Sequence, residues 1–211
     1  MVVFKNRFDA GKKLASLLAQ TYFLKEIKDK RKISVVSLLR GGVVVGQPIA
    51  EKFNTKNLPL PVAKISSPQN QELAVGAFCF SQIYWKKEVL NLYFFPKEEI
   101  NKQLEKAKQK FFYYCQKFNI NEKIFDNLKN KTVILVDDGI ATGATVCAVF
   151  YFLKTKKPQI MILAAPVGPS DFKNPGFDKV VIYHKEKYFS AISQFYEDFS
   201  PVETAKIPIN N

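Results

Sequence analysis

The sequence predicts an α/β fold in which a mainly parallel sheet is covered by helices on both faces. Short apolar runs rich in Val and Ile, typical of strands buried on both faces, alternate along the chain with segments of helical spacing. No internal repeat or low-complexity tract interrupts this alternation, and no segment has the composition of a linker. With 211 residues, we expect a single domain over residues 1–211.

Six apolar runs are predicted to be strands: residues 33–39, 60–65, 72–80, 133–136, 160–166 and 179–183. In parallel sheets, ligands bind at the carboxyl ends of the strands. Three of the runs carry unusual residues at or near that end: Arg40-Gly41-Gly42, Lys64, and residues 137–145. We therefore expect these three positions to meet at one edge of the sheet.

Five segments are predicted to be helices: residues 12–19, 43–53, 96–118, 143–154 and 190–199. The longest has apolar residues at helical spacing from Ile100 to Phe118. Its first turn contains Glu98 and Glu99, which the helix dipole favours at that end.

The net charge of +13 favours small anionic ligands. It is weak support for a nucleic-acid partner, because the lysines are scattered and basic tracts alone are a weak motif, so nucleic acid is the less favoured interpretation. No apolar run approaches the roughly 18–20 residues that cross a membrane, and the N-terminus does not resemble a secretion signal. The widely spaced Cys79, Cys115 and Cys147 suggest neither a disulfide framework nor a zinc site. We expect a cytoplasmic protein without a membrane segment.

The most informative stretch is "TVILVDDGIATGATVCAV", residues 132–149. An apolar run leads directly to two adjacent carboxylates, Asp137 and Asp138. Small and hydroxyl residues dominate the next seven positions: Gly139, Ile140, Ala141, Thr142, Gly143, Ala144 and Thr145. Exposed N–H groups in such a turn, followed by the N-terminus of a helix, form a phosphate site.

A phosphate alone does not explain the acid pair, which would repel it. A ribose 5-phosphate does, because its hydroxyls can donate to Asp137 and Asp138 while the turn holds its phosphate. The stretch matches neither G-x-x-x-x-G-K-[ST] nor G-x-G-x-x-G. The structural alternative is a buried strand with a polar end and a tight turn.

Residues 133–145 resemble the phosphoribosyl-diphosphate signature of the type I phosphoribosyltransferases: an apolar strand, two acids and a T-G-x-T-like loop. A looser similarity covers most of the chain, and is to a bacterial branch of the family whose acceptor is not generally assigned. It is carried by "FDAGKKLASLLA", "LLRGGVVVG", "KISSPQNQELAVGAF", "APVGPSDF" and "FYEDFSPV". The resemblance implies a doubly wound core with a smaller hood.

The resemblance also implies roles for the matching positions. Asp137 and Asp138 would hold the ribose hydroxyls, and residues 139–145 would hold the 5-phosphate. Three residues would form the pyrophosphate loop, which in this family often contains a non-proline cis peptide: Arg40, Gly41 and Gly42. A surface arginine in a turn is the alternative reading of Arg40.

Lys64 would stand at the start of a mobile loop, residues 65–71, that closes over the ligand; the alternative is a strand-end lysine in water. The candidates for catalysis are therefore Arg40, Lys64, Asp137 and Asp138. The reaction implied is displacement of pyrophosphate from 5-phosphoribosyl 1-diphosphate by a nitrogenous acceptor. Mg²⁺ would bridge the diphosphate and the ribose hydroxyls, with few ligands from the protein.

Purine-salvage members carry an aspartate where this sequence has Ala141, which argues against a hypoxanthine–guanine enzyme. Asp171 is a candidate for contacting the acceptor. His184 is expected in a solvated loop rather than as a general base, and Ser37 and Cys147 are expected to be packing residues.

Two other functions remain open at this stage. The same fold could sense phosphoribosyl diphosphate or a nucleotide without catalysis. Its lysines could then contact RNA or DNA, and such binding would depend on salt. Alternatively, Asp137 and Asp138 could form a phosphoacceptor site with Mg²⁺. A homodimer is also left open.

Overall fold

The computed structural model of the chain describes residues 3–21, 24, 27, 29–188 and 190–203. The chain divides into two compact units. Unit 1 comprises Met1–Leu60, Leu128–Ala141 and Lys157–Asn211, and unit 2 comprises Pro61–Asn127 and Thr142–Lys156.

In the described part of the chain, the strands are β1 (Ile33–Leu38), β2 (Asn57–Leu60), β3 (Ala63–Ser66), β4 (Ala74–Cys79), β5 (Gln82–Trp85), β6 (Thr132–Val136), β7 (Ile160–Pro169) and β8 (Lys179–Glu186). The α-helices are α1 (Arg7–Gln20), α2 (Gly41–Phe53), α3 (Lys87–Leu92), α4 (Lys97–Lys117) and α5 (Ala144–Thr155). Short 3₁₀-helices cover Lys30–Lys32, Glu122–Leu128 and Ile192–Phe195. No described helix is both long enough and apolar enough to cross a membrane.

Unit 1 is built on a five-stranded sheet with the order β2-β1-β6-β7-β8, in which every neighbouring pair is parallel. Helices α1 and α2 pack on one face of it, where their side chains meet alternate residues of the central strands. Members of this core include Leu14, Leu18, Ile49, Phe53, Val35, Ile134 and Ile162. The residues that alternate with them in β1 and β6 are buried as well. The predicted α/β fold with a mainly parallel sheet is therefore confirmed.

A buried polar network links β1, β2 and α2. The Ser37 hydroxyl donates to Asn57 Oδ1 at 2.6 Å, and Asn57 Nδ2 donates to the Val43 carbonyl at 2.9 Å. Gly46 makes room for it, because a Cβ there would overlap the Ser37 hydroxyl. Ser37 is thus a buried packing residue, as the sequence suggested.

Unit 2 contains a three-stranded antiparallel sheet with the order β3-β4-β5, together with α3, α4 and α5. Its core is aromatic. Phe80 stacks on Phe152 with ring centroids 4.7 Å apart, and Phe111 lies edge-on to Phe78 and Phe80 at 5.1 and 4.9 Å.

Two of the predicted secondary-structure elements are wrong. Residues 60–65 do not form one strand, since Leu60 ends β2 in unit 1 and Ala63 begins β3 in unit 2. Pro61 lies at the break, and a proline has no N–H to continue the ladder. Residues 190–199 do not form an α-helix either. Beyond the short 3₁₀-helix, the chain pairs with the N-terminal segment through a parallel bridge between Phe4 and Tyr196.

Candidate active site

The carboxyl ends of β1 and β6 bring two of the predicted positions together in unit 1. The strands are neighbours, with Ser37 opposite Val136. A Cβ at Gly42 would lie 2.8 Å from the Val136 carbonyl oxygen and 3.2 Å from the Asp137 Cα atom. A side chain would block so close an approach, which explains the glycine. The turn after β1 therefore packs directly against the start of the acid pair.

Asp138 is fixed through both its side chain and its main chain. Arg7 Nε donates a hydrogen bond to Asp138 Oδ2 at 2.7 Å, and the Tyr196 hydroxyl donates to the Asp138 carbonyl at 2.6 Å. The Asp138 carboxylate lies against Gly41, where a Cβ would overlap it. Arg7 and Tyr196 were not recognised as site residues from the sequence. The one available signal was that Arg7 is one of only three arginines.

Asp137 lies in an unfavourable position for a negative charge. Burial raises the pKa of the Asp137 carboxyl well above its usual range, and the neighbouring Asp138 carboxylate raises it further, while Arg7 lowers it. Its Oδ1 atom accepts a hydrogen bond from the Asp138 N–H at 2.9 Å. A carboxylate in this state is stabilised by any ligand that brings hydrogen-bond donors or positive charge to it. Perturbed carboxyls of this kind are typical of functional sites.

Arg40 precedes α2 and follows a cis peptide bond between Leu39 and Arg40. Its Nη1 atom donates to the Val202 carbonyl oxygen at 3.0 Å. A guanidinium has five N–H donors, so this one contact leaves the others for a ligand. Val43 N–H, in the first turn of α2, donates to the Arg40 carbonyl oxygen at 3.3 Å. By contrast, the N–H groups of the first two helical residues, Gly41 and Gly42, have no acceptor within a helix. The turn therefore offers both a cation and main-chain donors.

The small-residue segment starts in unit 1 and continues into unit 2. In unit 1 it is anchored by Ile140, which is buried and donates its N–H to the Val167 carbonyl at 2.9 Å. In unit 2, Gly143 precedes α5 with φ 73°, in the left-handed region that favours glycine. Between these anchors, Ala141 and Thr142 are exposed.

Lys64 does not lie at the edge of the parallel sheet, so the predicted meeting of three strand ends in one sheet is wrong. It belongs to β3 of the antiparallel sheet in unit 2. Its Nζ atom is 3.5 Å from the Glu72 carbonyl oxygen and 3.9 Å from Glu72 Oε2, which are both long contacts. Of the predicted loop, residues 65–71, the first two belong to β3, and the connection to β4 is formed by residues 67–73. The physical reason is that the strand ends before Pro61. The second half of the predicted run therefore belongs to the other sheet.

Asp171 and His184 lie on or just after the two strands at the far edge of the sheet. Strand β7 continues for five residues beyond Ala164, the partner of Val136, and Asp171 is exposed in the turn that follows. At about 3.3 Å per residue, the end of β7 is about 16 Å beyond Val136. His184 lies within β8, with Nε2 3.7 Å from Glu186 Oε2, so the expectation of a loop is wrong.

Comparison with known proteins shows the family of the chain. A family model described as phosphoribosyl transferase domain matches residues 5–203. The chain belongs to this family. Two curated proteins of Mycobacterium tuberculosis, from strains CDC 1551 and H37Rv, carry the name "Putative phosphoribosyl transferase". Each is 29% identical to this chain over 212 residues, which cover 95% of the chain and 44% of the relative.

The phosphoribosyl transferase domain of this chain thus spans less than half the length of those curated relatives. Among solved structures, the protein TT1426 from Thermus thermophilus is similar, with 23% identity and a TM-score of 0.66. The similarity covers 98% of this chain and 96% of that one. At this level of identity the similarity supports the fold.

Proposed function

We propose that the protein is a phosphoribosyltransferase that displaces pyrophosphate from 5-phosphoribosyl 1-diphosphate with a nitrogenous acceptor. Membership of the family supports the general reaction. The observation that carries the proposal is the contact between Gly41-Gly42, after β1, and Asp137-Asp138, after β6. At this contact, main-chain N–H groups that could bind an anion lie beside carboxylates that could accept hydrogen bonds from a diol. Phosphoribosyl diphosphate carries both an anionic group and a diol.

The acid pair would hold the ribose. Arg7 occupies one oxygen of Asp138, and within the described part of the chain no hydrogen bond reaches the other oxygen. That oxygen can accept a hydroxyl. Burial and the neighbouring carboxylate raise the pKa of Asp137, so a donated hydroxyl would stabilise its charged form. The two carboxylates would thus accept from the 2- and 3-hydroxyls.

The two phosphate groups would occupy different segments. Residues 139–145 would hold the 5-phosphate through main-chain N–H groups and the hydroxyls of Thr142 and Thr145. The pyrophosphate would lie on the turn formed by Arg40, Gly41 and Gly42, at the N-terminus of the 13-residue helix α2. The positive end of the helix dipole and the guanidinium would both favour it.

Mg²⁺ fits this arrangement as a cation carried by the substrate. The described residues contain no cluster of three or more His, Cys, Asp or Glu side chains that could hold a metal. Mg²⁺ commonly keeps phosphate and water ligands, with few from the protein, so the donor would supply most of its ligands, and Asp137 and Asp138 are the carboxylates available to it in the proposed site. When bound, the ion would supply positive charge to the departing diphosphate.

The protein's own groups would stabilise the charges that develop during the reaction. As pyrophosphate leaves, negative charge grows on it while C1 of the ribose becomes oxocarbenium-like. Arg40, and Lys64 if its loop closes, would stabilise the leaving group. Closure would also exclude water and so prevent hydrolysis of the donor. Asp171 remains the sequence-based candidate for the acceptor, and no covalent nucleophile is required.

The test is pyrophosphate release from 5-phosphoribosyl 1-diphosphate and Mg²⁺ on addition of a panel of nitrogenous bases. We expect release that depends on one acceptor class and that falls by about 10²-fold or more in a variant carrying D137N and D138N. The matched control is D29N, because Asp29 pairs with Arg31 on the surface. Tight donor binding without turnover on any acceptor would favour a sensor, and absence of donor binding would contradict the proposal.

A further inference from the structure

Arg7 lies between the acid pair and the C-terminal segment, residues 195–203. Besides its hydrogen bond to Asp138, its Nη1 atom donates to the Ser200 carbonyl oxygen at 2.9 Å. The Phe199 ring lies against the guanidinium, with its centroid 3.6 Å from Cζ. The Arg7 side chain is only 11% exposed. Three separate contacts therefore hold one side chain in one orientation.

The C-terminal segment that supports Arg7 is itself anchored beside it. Glu197 N–H donates to the Phe4 carbonyl, and Asp198 N–H donates to the Lys5 carbonyl, both at 2.9 Å. The segment thus pairs with the residues immediately before Arg7. Phe4, Phe195 and Tyr196 are buried in a common apolar cluster. The support is a packed part of unit 1 rather than a lone surface contact.

We propose that Arg7 is a positioning residue that fixes the Asp138 carboxylate to accept a ribose hydroxyl, with Phe199 and Ser200 holding the guanidinium in place. This inference rests on the proposed function, because it takes the sugar diol as the ligand. It adds a residue that contacts no reacting atom and acts through Asp138.

The geometry favours positioning over competition with the ligand. Arg7 contacts Asp138 through Nε and only one carboxylate oxygen, so the second oxygen stays available to a hydroxyl. The carboxylate side chain is 15% exposed, and hydrogen bonds to charged groups are strong in such partly buried surroundings. A lysine has no planar group to stack on Phe199, and its ammonium does not donate in two fixed directions as a guanidinium does.

The experiment compares two ligands by calorimetric titration without metal: ribose 5-phosphate, and 2,3-dideoxyribose 5-phosphate, which keeps the phosphate but lacks the diol. Their affinity ratio measures the preference for the diol. In R7M we expect this preference to fall by about tenfold, the effect of one charged hydrogen bond. Affinity for the dideoxy compound should change little, whereas a general loss of structure would weaken both ligands alike.

R31M is the matched control, because Arg31 forms an exposed ion pair with Asp29 and should keep the wild-type preference. F199L removes the stacking partner and leaves the charge, so it should lower the preference in the same direction. If thermal unfolding shows that R7M is not folded, F199L tests the inference in its place. An unchanged preference in a folded R7M or F199L variant overturns the inference, as does tighter binding of ribose 5-phosphate by R7M. Wild-type protein without any diol preference overturns the proposed function itself.

Discussion

The Asp138 carboxylate occupies the space in which a side chain at Gly41 would begin. Position 41 is therefore glycine because of a residue almost one hundred positions away in the chain. The two turns after β1 and β6 can pack together only while this position has no Cβ.

G41A tests this relationship. The new methyl group would displace the Asp138 carboxylate and also approach Arg7 Nε, at 2.7 Å. We expect pyrophosphate release to fall by about 10²-fold, because displacements of about 1 Å in a positioned group have effects of this size. The control is D29N, because Asp29 pairs with Arg31 on the surface and its replacement should leave activity close to that of the wild type. Equal activities for the two variants would count against a role for the turn.

The stability of D137N should depend on pH in a defined direction. Burial raises the pKa of Asp137 in the folded state above its ordinary value of 3.8. Its contribution to the free energy of unfolding is fully present below 3.8 and is lost as the pH rises through the raised pKa. Asn cannot ionise, so D137N without ligand should have the higher melting temperature at neutral pH. This advantage should shrink as the pH falls towards about 4.

D29N provides a control of opposite sign for the same thermal measurement. Hydrogen bonds from Arg31 lower the pKa of Asp29, so its contribution is present above 3.8 and is lost as the pH falls through the lowered value. Removing it should slightly lower the melting temperature at neutral pH. If D137N were less stable than the wild type at every pH, this would show that burial of the Asp137 charge does not destabilise the folded protein.

Gly143 and Gly176 form a matched pair of glycines with positive φ, 73° and 132°. Alanine at either position should destabilise the protein by about 1–2 kcal/mol, because an L side chain is strained there. Only G143A should also weaken binding of ribose 5-phosphate, measured by titration, because Gly143 belongs to the proposed phosphate segment. Identical affinities in the two variants would argue that the phosphate binds elsewhere.

Lys156 should stabilise unit 2. Its side chain is 10% exposed and donates to Glu122 and Asp126 at 2.8 and 2.9 Å. The Glu122 and Asp126 side chains are 45% and 64% exposed, so solvent weakens both ion pairs. We therefore expect K156M to lower the free energy of unfolding by only about 1–2 kcal/mol. This corresponds to roughly 2–4 °C in melting temperature per kcal/mol for a chain of 150–250 residues.

K154M is the matched control for this change, because Lys154 is exposed in the last turn of α5, which ends immediately before Lys156. It should melt close to the wild type. Equal losses in K156M and K154M would show that the ion pairs of Lys156 contribute nothing specific.

The parallel sheet and the acid pair could be predicted because the signals are local. A run of apolar residues followed by Asp137 and Asp138 defines both a buried strand and its functional end. Arg7 could not be predicted, because its role depends on Phe199 and Ser200, which reach it only through folding. Residues 190–199 have helical spacing, yet pairing with Phe4 and burial of Phe195 outweigh that local preference.

Pro61 shows a related limit of the sequence. The apolar spacing of residues 60–65 is that of a strand, but a proline interrupts the ladder and the chain leaves one sheet for another. Lys64 was therefore assigned to the wrong sheet, although it was correctly assigned to a strand. Whether Lys64 contacts the donor stays a prediction.

The hydrogen bonds from Ser37 to Asn57 and from Asn57 to Val43 also bear on how the chain finds its fold. A shift of β2 by one residue along β1 would leave the Asn57 amide and the Ser37 hydroxyl without hydrogen-bond partners in an apolar interior. The aliphatic neighbours would lose no hydrogen bond in such a shift. These two polar side chains thus make the shifted strand registers less stable than the native one. Their replacement by apolar residues of similar size would leave a well-packed core in which the register of β2 on β1 is less strongly specified.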